Sequence, residues 1–448
     1  MCVGMRGEEG SSGPESEPST TENTMRRTLP ITRAVCFAVP LLAGCAESMV
    51  LTDDDPTTDE LRRRDGSHHA DATDTQSTSD SSAIVDSGSA SDASRSDASS
   101  ADVAMVHDAS AADVVTGTDA GSPAPTDAGT PAPTSGIWLS RDEILRLPTS
   151  GSAWTRVLNA ANNLSGTADF TDNNSLHDTS TLAAALVAVR NGDDAMRTRT
   201  IHAIETVYAS GYARVLEMSR NVQSYVIAAD IIGPSGWDSA RFSTFVHGLA
   251  TLPLQGHSGG GNLLETAEFS ANNWGCHSRA ALAIIGLYTH DDAFVTAATT
   301  AQRAFLSGAG GSLNYTTTNW HAGSPTAGIN VRGATISGHD VDGVIPEDQR
   351  RTGEFAWPAP QGSYPWEALQ GTVVTGVVLQ RAGRLPFDAG DNAIVRAAHW
   401  LTIINLNPAS GDDTWQPWLL NRFGSAGLAT SAASAGKNMG WTDWTHGS

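Results

Sequence analysis

All twelve tryptophans of the chain lie beyond residue 135, together with nearly all of its large apolar side chains. A chain folds only where burying such groups outweighs the entropy lost on ordering it. Residues 136–448 are therefore where a core forms, and about 310 residues suffice for one domain. The preceding segment, 46–135, consists mainly of Asp, Ser, Ala and Thr and ends Pro-Ala-Pro-Thr-Asp-Ala-Gly-Thr-Pro-Ala-Pro-Thr134. Its eighteen acidic residues face four arginines. Such a stretch has nothing to bury and repels itself, so it is expected to be a disordered, extended linker. It holds −14 of the chain's formal −22 and residues 1–45 hold −1, which leaves −7 for the remainder. A mildly acidic domain without a basic stripe is not built for nucleic acid.

The first 24 residues have no apolar period and are read as an upstream extension, with Met25 as the true start. From there the chain runs Arg26-Arg27, then Arg33, then an apolar stretch from Ala34 to Ala43 that ends Leu42-Ala43-Gly44-Cys45. This is the pattern of a secretory signal, too short for a stable membrane-spanning helix. The ending resembles the bacterial lipobox, in which cleavage leaves the cysteine acylated. The expected product is a lipoprotein anchored through Cys45, at the outer membrane or cell surface, with the periplasm as the other location. The rival reading of residues 25–45 is an uncleaved anchor. Cys2 and Cys36 would be lost on processing, leaving Cys276 alone, so neither a disulfide framework nor a thiolate metal site is expected.

Within 136–448 the patterns are helical. Ser140 with Glu143 three residues later forms a capping box, and Trp154 to Ala161 continues at helical spacing. Thr179–Val189, Ala195–Tyr208, Val215–Ile232, Ser239–Leu249, Ala293–Leu306, Pro365–Ala382 and Ala389–Ile404 read as further helices, mostly separated by Gly, Pro or Asn-Gly. The stretch 312–343 has no helical period and is expected to be a long loop, with at most a hairpin. Long ordered loops over a helical scaffold usually carry function. The fold class is mostly α, built of antiparallel helix pairs.

Three stretches concentrate polar chemistry. In Glu268-Phe-Ser-Ala-Asn-Asn-Trp-Gly-Cys-His-Ser-Arg279, Asn272 and Asn273 are natural N-caps for a helix running to Tyr288. His277 then lies one turn above Asn273 on the same face, and the helix start offers free N–H groups to an anion. Amide, imidazole and the Arg279 guanidinium suit a carboxylate. The competing reading is a capped core helix with satisfied polar groups. In Glu347-Asp-Gln-Arg-Arg-Thr-Gly-Glu-Phe-Ala-Trp357 and Gln361-Gly-Ser-Tyr-Pro-Trp-Glu-Ala-Leu-Gln370, paired arginines can grip a carboxylate through two parallel hydrogen bonds. Trp357 and Trp366 can stack on a sugar ring, and Pro365 suits the first turn of a helix that Tyr364 enters. The competing reading makes Arg350 and Arg351 surface ion pairs with Glu347 and Glu354, and the tryptophans core. The third stretch, Ala435-Gly-Lys-Asn-Met-Gly-Trp-Thr-Asp-Trp-Thr-His446, is expected to close the domain by packing, with a ligand-facing Lys437 or Asp443 as the lesser reading. His339-Asp-Val-Asp342 is too sparse for a metal site, and no metal or other cofactor is expected.

Together, Asn-Asn-Trp before a small-residue helix, Arg-Arg-Thr-Gly-Glu with Tyr-Pro-Trp-Glu-Ala-Leu-Gln, and the closing Gly-Lys-Asn-Met-Gly-Trp-Thr-Asp-Trp-Thr resemble the alginate-lyase superfamily of helical-toroid polysaccharide lyases. The resemblance spans roughly Trp138 to His446. It implies an (α/α) toroid, an incomplete helical barrel with a cleft at one end. The implied activity is β-elimination on a uronate-containing polymer, by a monomer without cofactor. Donors neutralise the substrate carboxylate and stabilise an enolate-like intermediate, and a tyrosine or histidine removes the C5 proton and protonates the leaving oxygen. A neighbouring arginine favours the phenolate form of such a tyrosine.

Carried over by motif, the resemblance makes Asn273 the carboxylate-binding amide, His277 the histidine, Arg351 the arginine and Tyr364 the base. Asn272, Trp274, Arg279, Tyr315, His321, Arg350, Trp357 and Trp366 are the expected substrate-binding residues, with Tyr315 and His321 also the alternative base and neutraliser. Two departures stand out. Trp274 occupies the place directly after Asn-Asn where characterised alginate lyases carry histidine, and the spacing from Arg351 to Tyr364 is longer. A carbohydrate-binding lipoprotein of the same fold, without turnover, is the rival of another class. A cysteine hydrolase built on Cys276 is disfavoured, because adjacent helix residues such as Cys276 and His277 point apart.

Overall fold

The computed structural model describes residues 136–257 and 260–447. The upstream extension, the signal with Cys45, and the linker 46–135 lie outside the described residues. Helices dominate. In chain order they are α1 (Arg141–Arg146), α2 (Ser152–Asn162), α3 (His177–Asn191), α4 (Asp194–Glu205), α5 (Val215–Ile232), α6 (Ser239–Leu249), α7 (Leu263–Phe269), α8 (Asn273–Thr289) and α9 (Asp292–Ser307). Then follow α10 (Pro346–Gln349), α11 (Tyr364–Arg381), α12 (Ala389–His399), α13 (Gln416–Gly424) and α14 (Thr442–Thr445). The only paired strands among the described residues are β1 (Thr335–Ile336) and β2 (His339–Asp340), an antiparallel hairpin inside the long loop.

The architecture follows from which helices are apolar on one side and which on all sides. The runs Leu-Ala-Ala-Ala-Leu-Val-Ala-Val189, Tyr-Val-Ile-Ala-Ala229, Ala-Ala-Leu-Ala-Ile-Ile285 and Thr-Val-Val-Thr-Gly-Val-Val-Leu379 present small or apolar groups in every direction. A helix of that kind must be enclosed, and α3, α5, α8 and α11 are buried along most of their length. They pack in series: α3 on α5, α5 on α8, α8 on α11. Helices with a polar side lie against this row, α2 and α4 on α3, α6, α7 and α9 on α8, and α12 on α9. No helix among the described residues is long and apolar enough to cross a membrane.

The contact of α11 with α8 is unusually close, and glycine permits it. A Cβ on Gly371 would collide with the backbone of Cys276 and His277. One turn earlier on α11 stands Glu367, and one turn earlier on α8 stands Asn273, so this crossing sets their separation.

The helix starts also show where local and tertiary control part company. The Ser140–Glu143 capping box is present in both halves. Asn272 is the N-cap of α8, but its side chain makes no capping bond; its amide reaches the His257 ring instead (3.2 Å). The Asn273 N–H is taken by Asp348 Oδ1 at 3.1 Å, a carboxyl from 75 residues away. The helix expected over Ala195–Tyr208 ends at Glu205 and finishes in a 3₁₀ turn. The one expected over Ala389–Ile404 begins with Gly390, Asp391 and Asn392 in the left-handed region and finishes as a π-turn from Trp400. The C-terminal segment closes the domain as expected. The Trp441 indole donates to Thr179 O (3.0 Å), that of Trp444 donates to Pro148 O (2.8 Å), and Asp443 pairs with Arg156.

Candidate functional site

The start of α8, helix α5 and the C-terminal segment converge on one carboxylate in the first turn of α11, Glu367. Its Oε2 accepts from Arg220 of α5 and lies 3.5 Å from the Asn273 amide nitrogen. Its Oε1 accepts from Lys437 Nζ at 2.9 Å. Burial acts to raise its pKa, but Arg220 and Lys437 outweigh that and hold it far below the usual carboxylate range. Arg220 in turn donates to Asn173 Oδ1 in the segment before α3. The Asn273 side chain is fixed from both ends, since its Oδ1 also accepts from Trp274 N (3.0 Å).

A second group lies along α10 and the loop. Glu347 accepts from Thr316 N (2.5 Å), sits 3.3 Å from His321 Nε2 and pairs with Arg350 (3.2 Å). Burial pushes against ionisation there, yet these three partners keep the Glu347 pKa low. The Tyr315 and His321 rings meet edge to face at 5.2 Å. Burial raises the Tyr315 phenol to about 12, despite the opposing pull of Arg279. Asp348 is buried so completely that its pKa is raised to about 8, although it accepts from Asn273 N. It is therefore mainly protonated at neutral pH. The two groups are linked through the adjacent residues Glu347 and Asp348 and through the Asp348–Asn273 bond.

At the entrance of α11 the Arg351 guanidinium lies 4.0 Å from the centroid of the Tyr364 ring. Both side chains are half-buried. Tyr364 stands one turn before Glu367 on the same helix, which puts the two residues on one side of α11. Trp274 is half-buried between Arg214, 5.7 Å from its ring centroid, and His257, whose ring centroid is 5.6 Å away. Trp357 is 39 % exposed and stacks on His339 at 4.5 Å and 14°.

Three of the residues singled out in the sequence are placed differently from that expectation. His277 has no exposed surface, because α5 and α11 cover the side of α8 it shares with Asn273. Burial, with the positive charge of Arg220, drives its pKa well below the ordinary histidine value. Arg279 is equally enclosed. It donates to the carbonyls of Ser270 (2.9 Å) and Ala267 (3.4 Å) and to Cys276 Sγ (3.1 Å), and it lies over the Phe305 ring. Trp366 is 2 % exposed, its indole N–H spent on Asn407 O (2.9 Å). These three are packed in the interior rather than presented to a ligand. Asn272 and Asn273 are as deeply buried as Trp366, each 2 % exposed; Asn273 meets Glu367 and Asn272 meets the His257 ring. Arg350, Arg351, Tyr315, His321, Tyr364 and Trp274 keep partial access.

Glu347 and Asp348 were not among the residues expected at the site, and neither were Arg220 and Glu367. Arg220 lies in an apolar helix and Glu367 inside Tyr-Pro-Trp-Glu, where each reads as a surface or helix residue. The signal that finds them is a charge within a run that must be buried, since such charges need partners. Among the described residues no three His, Cys, Asp or Glu come together as a metal site. Cys276 is buried and its thiol is pushed up to about 11 by burial, which removes it as a nucleophile.

No family model matches the chain, no curated protein matches it, and no solved structure matches its fold.

Proposed function

We propose that the chain is a polysaccharide lyase that cleaves a uronate-containing glycan by β-elimination. The observation that carries this reading is the Arg351–Tyr364 pair, 4.0 Å apart at the mouth of α11, one turn from a carboxylate that meets the Asn273 amide and Lys437. Arg220 and Lys437 pair with Glu367 and Arg350 pairs with Glu347, which gathers cationic donors around this end of the molecule.

In this reading Arg351 and the amide of Asn273 take the uronate carboxylate and stabilise the negative charge that develops on it. Tyr364 removes the C5 proton. The C5–H electrons form the C4–C5 double bond, the C4–O bond breaks, and the departing oxygen takes up a proton from the same phenol. Tyr315 is the weaker candidate for the base, because burial holds its proton more firmly. The (α/α) toroid and export as a lipoprotein anchored through Cys45 belong to the same proposal. The linker 46–135 would then let the domain reach polymer while remaining attached.

A second reading has a specific observation in its favour. With His277 enclosed and Asn273 nearly so, the same cluster suits a carbohydrate-binding protein that has lost turnover. The full chain incubated with alginate, polygalacturonate and other polyuronates separates the two. Growth of ultraviolet absorbance from a C4–C5 unsaturated uronide supports the lyase; retention on the polymer without absorbance growth supports the binding protein. Neither signal with any polyuronate sinks both.

A further inference from the structure

Arginine supplies every cationic side chain of this sequence but one, and the exception is Lys437. That single lysine is delivered by the C-terminal segment into the candidate site. The segment is fixed on either side of it. Ser224 Oγ donates to Asn438 O at 2.8 Å, the Asn438 amide donates to Gln223 Oε1 at 3.2 Å, and Gly436 N bonds to Met439 O. Lys437 is therefore held by its own backbone, with only its side chain directed at Glu367.

The ammonium has three N–H donors. Within hydrogen-bond distance it meets one acceptor among the described residues, Glu367 Oε1 at 2.9 Å, while Asp412 Oδ2 lies beyond that range at 3.9 Å. Its side chain is 11 % exposed, at the edge of the cluster rather than within it. Arg220 occupies the other oxygen of Glu367 and is fully enclosed. The two cations on this carboxylate thus differ in kind: Arg220 is sealed into the scaffold, and Lys437 retains donor directions at the accessible side. A planar guanidinium fork spends its donors in one plane, whereas a compact ammonium can keep one bond to Glu367 and turn another toward a ligand.

We infer that Lys437 is a substrate-binding residue, a cation held ready on Glu367 that donates to the carboxylate of a uronate sugar. This rests on the proposed action on polyuronates and adds the residue that determines acidity preference at that site. Asn273 and Lys437 then approach the ligand from opposite sides of Glu367, with Tyr364 one turn away.

Because the lysine is unique, it can be observed directly. Incorporation of ¹³C,¹⁵N-lysine labels Lys437 alone and leaves its three N–H donors in place. On titration of the labelled full chain with an alginate or polygalacturonate oligosaccharide, the Lys437 side-chain resonance is expected to shift saturably. In parallel, Lys437→Met is expected to raise KM, or the dissociation constant if turnover is absent, about ten- to a hundredfold, as loss of one charge-assisted hydrogen bond requires. Lys437→Arg, which keeps the charge but fixes its donors in one plane, recovers only part of that loss. An unmoved Lys437 resonance under conditions where the wild type binds or cleaves the oligosaccharide overturns the inference alone. So does a Lys437→Met protein with wild-type KM. A wild type that neither binds nor cleaves any polyuronate overturns the underlying functional reading, and the inference with it.

Discussion

The start of α8 and the mouth of α11 look alike in sequence, each a polar cluster opening an apolar helix, yet the molecule treats them in opposite ways. At the start of α8 the polar groups are turned inward. Arg279 is consumed by backbone carbonyls, His277 is sealed beneath α5 and α11, and the helix start itself is capped by Asp348. At the mouth of α11, Arg351 and Tyr364 stay partly open and lie against one another. The lesson is that a polar cluster at a helix start says little until the neighbours of that helix are known. α8 has neighbours on nearly every side, whereas at the entrance of α11 Tyr364 keeps partial exposure while Pro365, Trp366 and Glu367 behind it are buried. The enclosed cluster acts as scaffold apart from Asn273, and the open one carries the base of the proposed reaction.

That contrast can be broken by perturbing each region in turn. The largest effect is expected at the crossing itself. Gly371→Ala forces a methyl group into the backbone of Cys276 and His277, and should cost about 3 kcal/mol in a denaturant titration, the upper range for overpacking. Arg279→Met keeps the apolar packing over Phe305 but strands two buried carbonyls, and is expected to cost about 2 kcal/mol while leaving ligand affinity unaltered. A ligand affinity that falls with it would place Arg279 at the site after all.

Asp348 gives a signed pH test. Its carboxyl keeps its proton to about pH 8 in the folded chain, against an ordinary value of 3.8. Below the ordinary value both states are protonated. As pH rises from there toward 8 the unfolded chain releases the proton and the folded chain does not, so stability falls. Asp348→Asn retains an acceptor for Asn273 N but cannot titrate. Its Tm relative to wild type should therefore rise steadily across that window and level off above it; a constant difference contradicts the buried, protonated carboxyl. The smallest effect on stability is expected for Trp357→Ala, since the ring is 39 % exposed and stacked only on one side. Its Tm should stay close to wild type while affinity for the polymer weakens.

Much of the helical scaffold was legible. Val215–Ile232 and Ser239–Leu249 match their expected bounds because apolar spacing runs the length of each, with Gly233-Pro234 ending the first and Asp238 capping the start of the second. The long loop with a hairpin was legible for the opposite reason, a lack of period. The short helices α7, α10, α13 and α14 were not foreseen, since four to nine residues give too little periodicity to stand out. At the site, Tyr364 entering a helix behind Arg351 could be read from the Tyr-Pro-Trp-Glu sequence. That Asp348 caps α8, or that Lys437 and Glu367 join across 70 residues, could not, because no local pattern encodes a contact between distant segments. His277 was placed beside Asn273 correctly in angle. Periodicity gives the side of a helix but not what covers it.

The most direct test compares wild type with Tyr364→Phe on the same polyuronate, following ultraviolet absorbance over time. The phenol is half-buried at a helix entrance, so losing its hydroxyl should leave the fold intact. The expected result is steady absorbance growth with wild type and a rate about 10²–10⁴-fold lower with the variant, the range for a lost general acid–base group. Equal growth with both proteins would contradict the assignment of Tyr364, and no growth with wild type on any polyuronate would contradict the lyase itself.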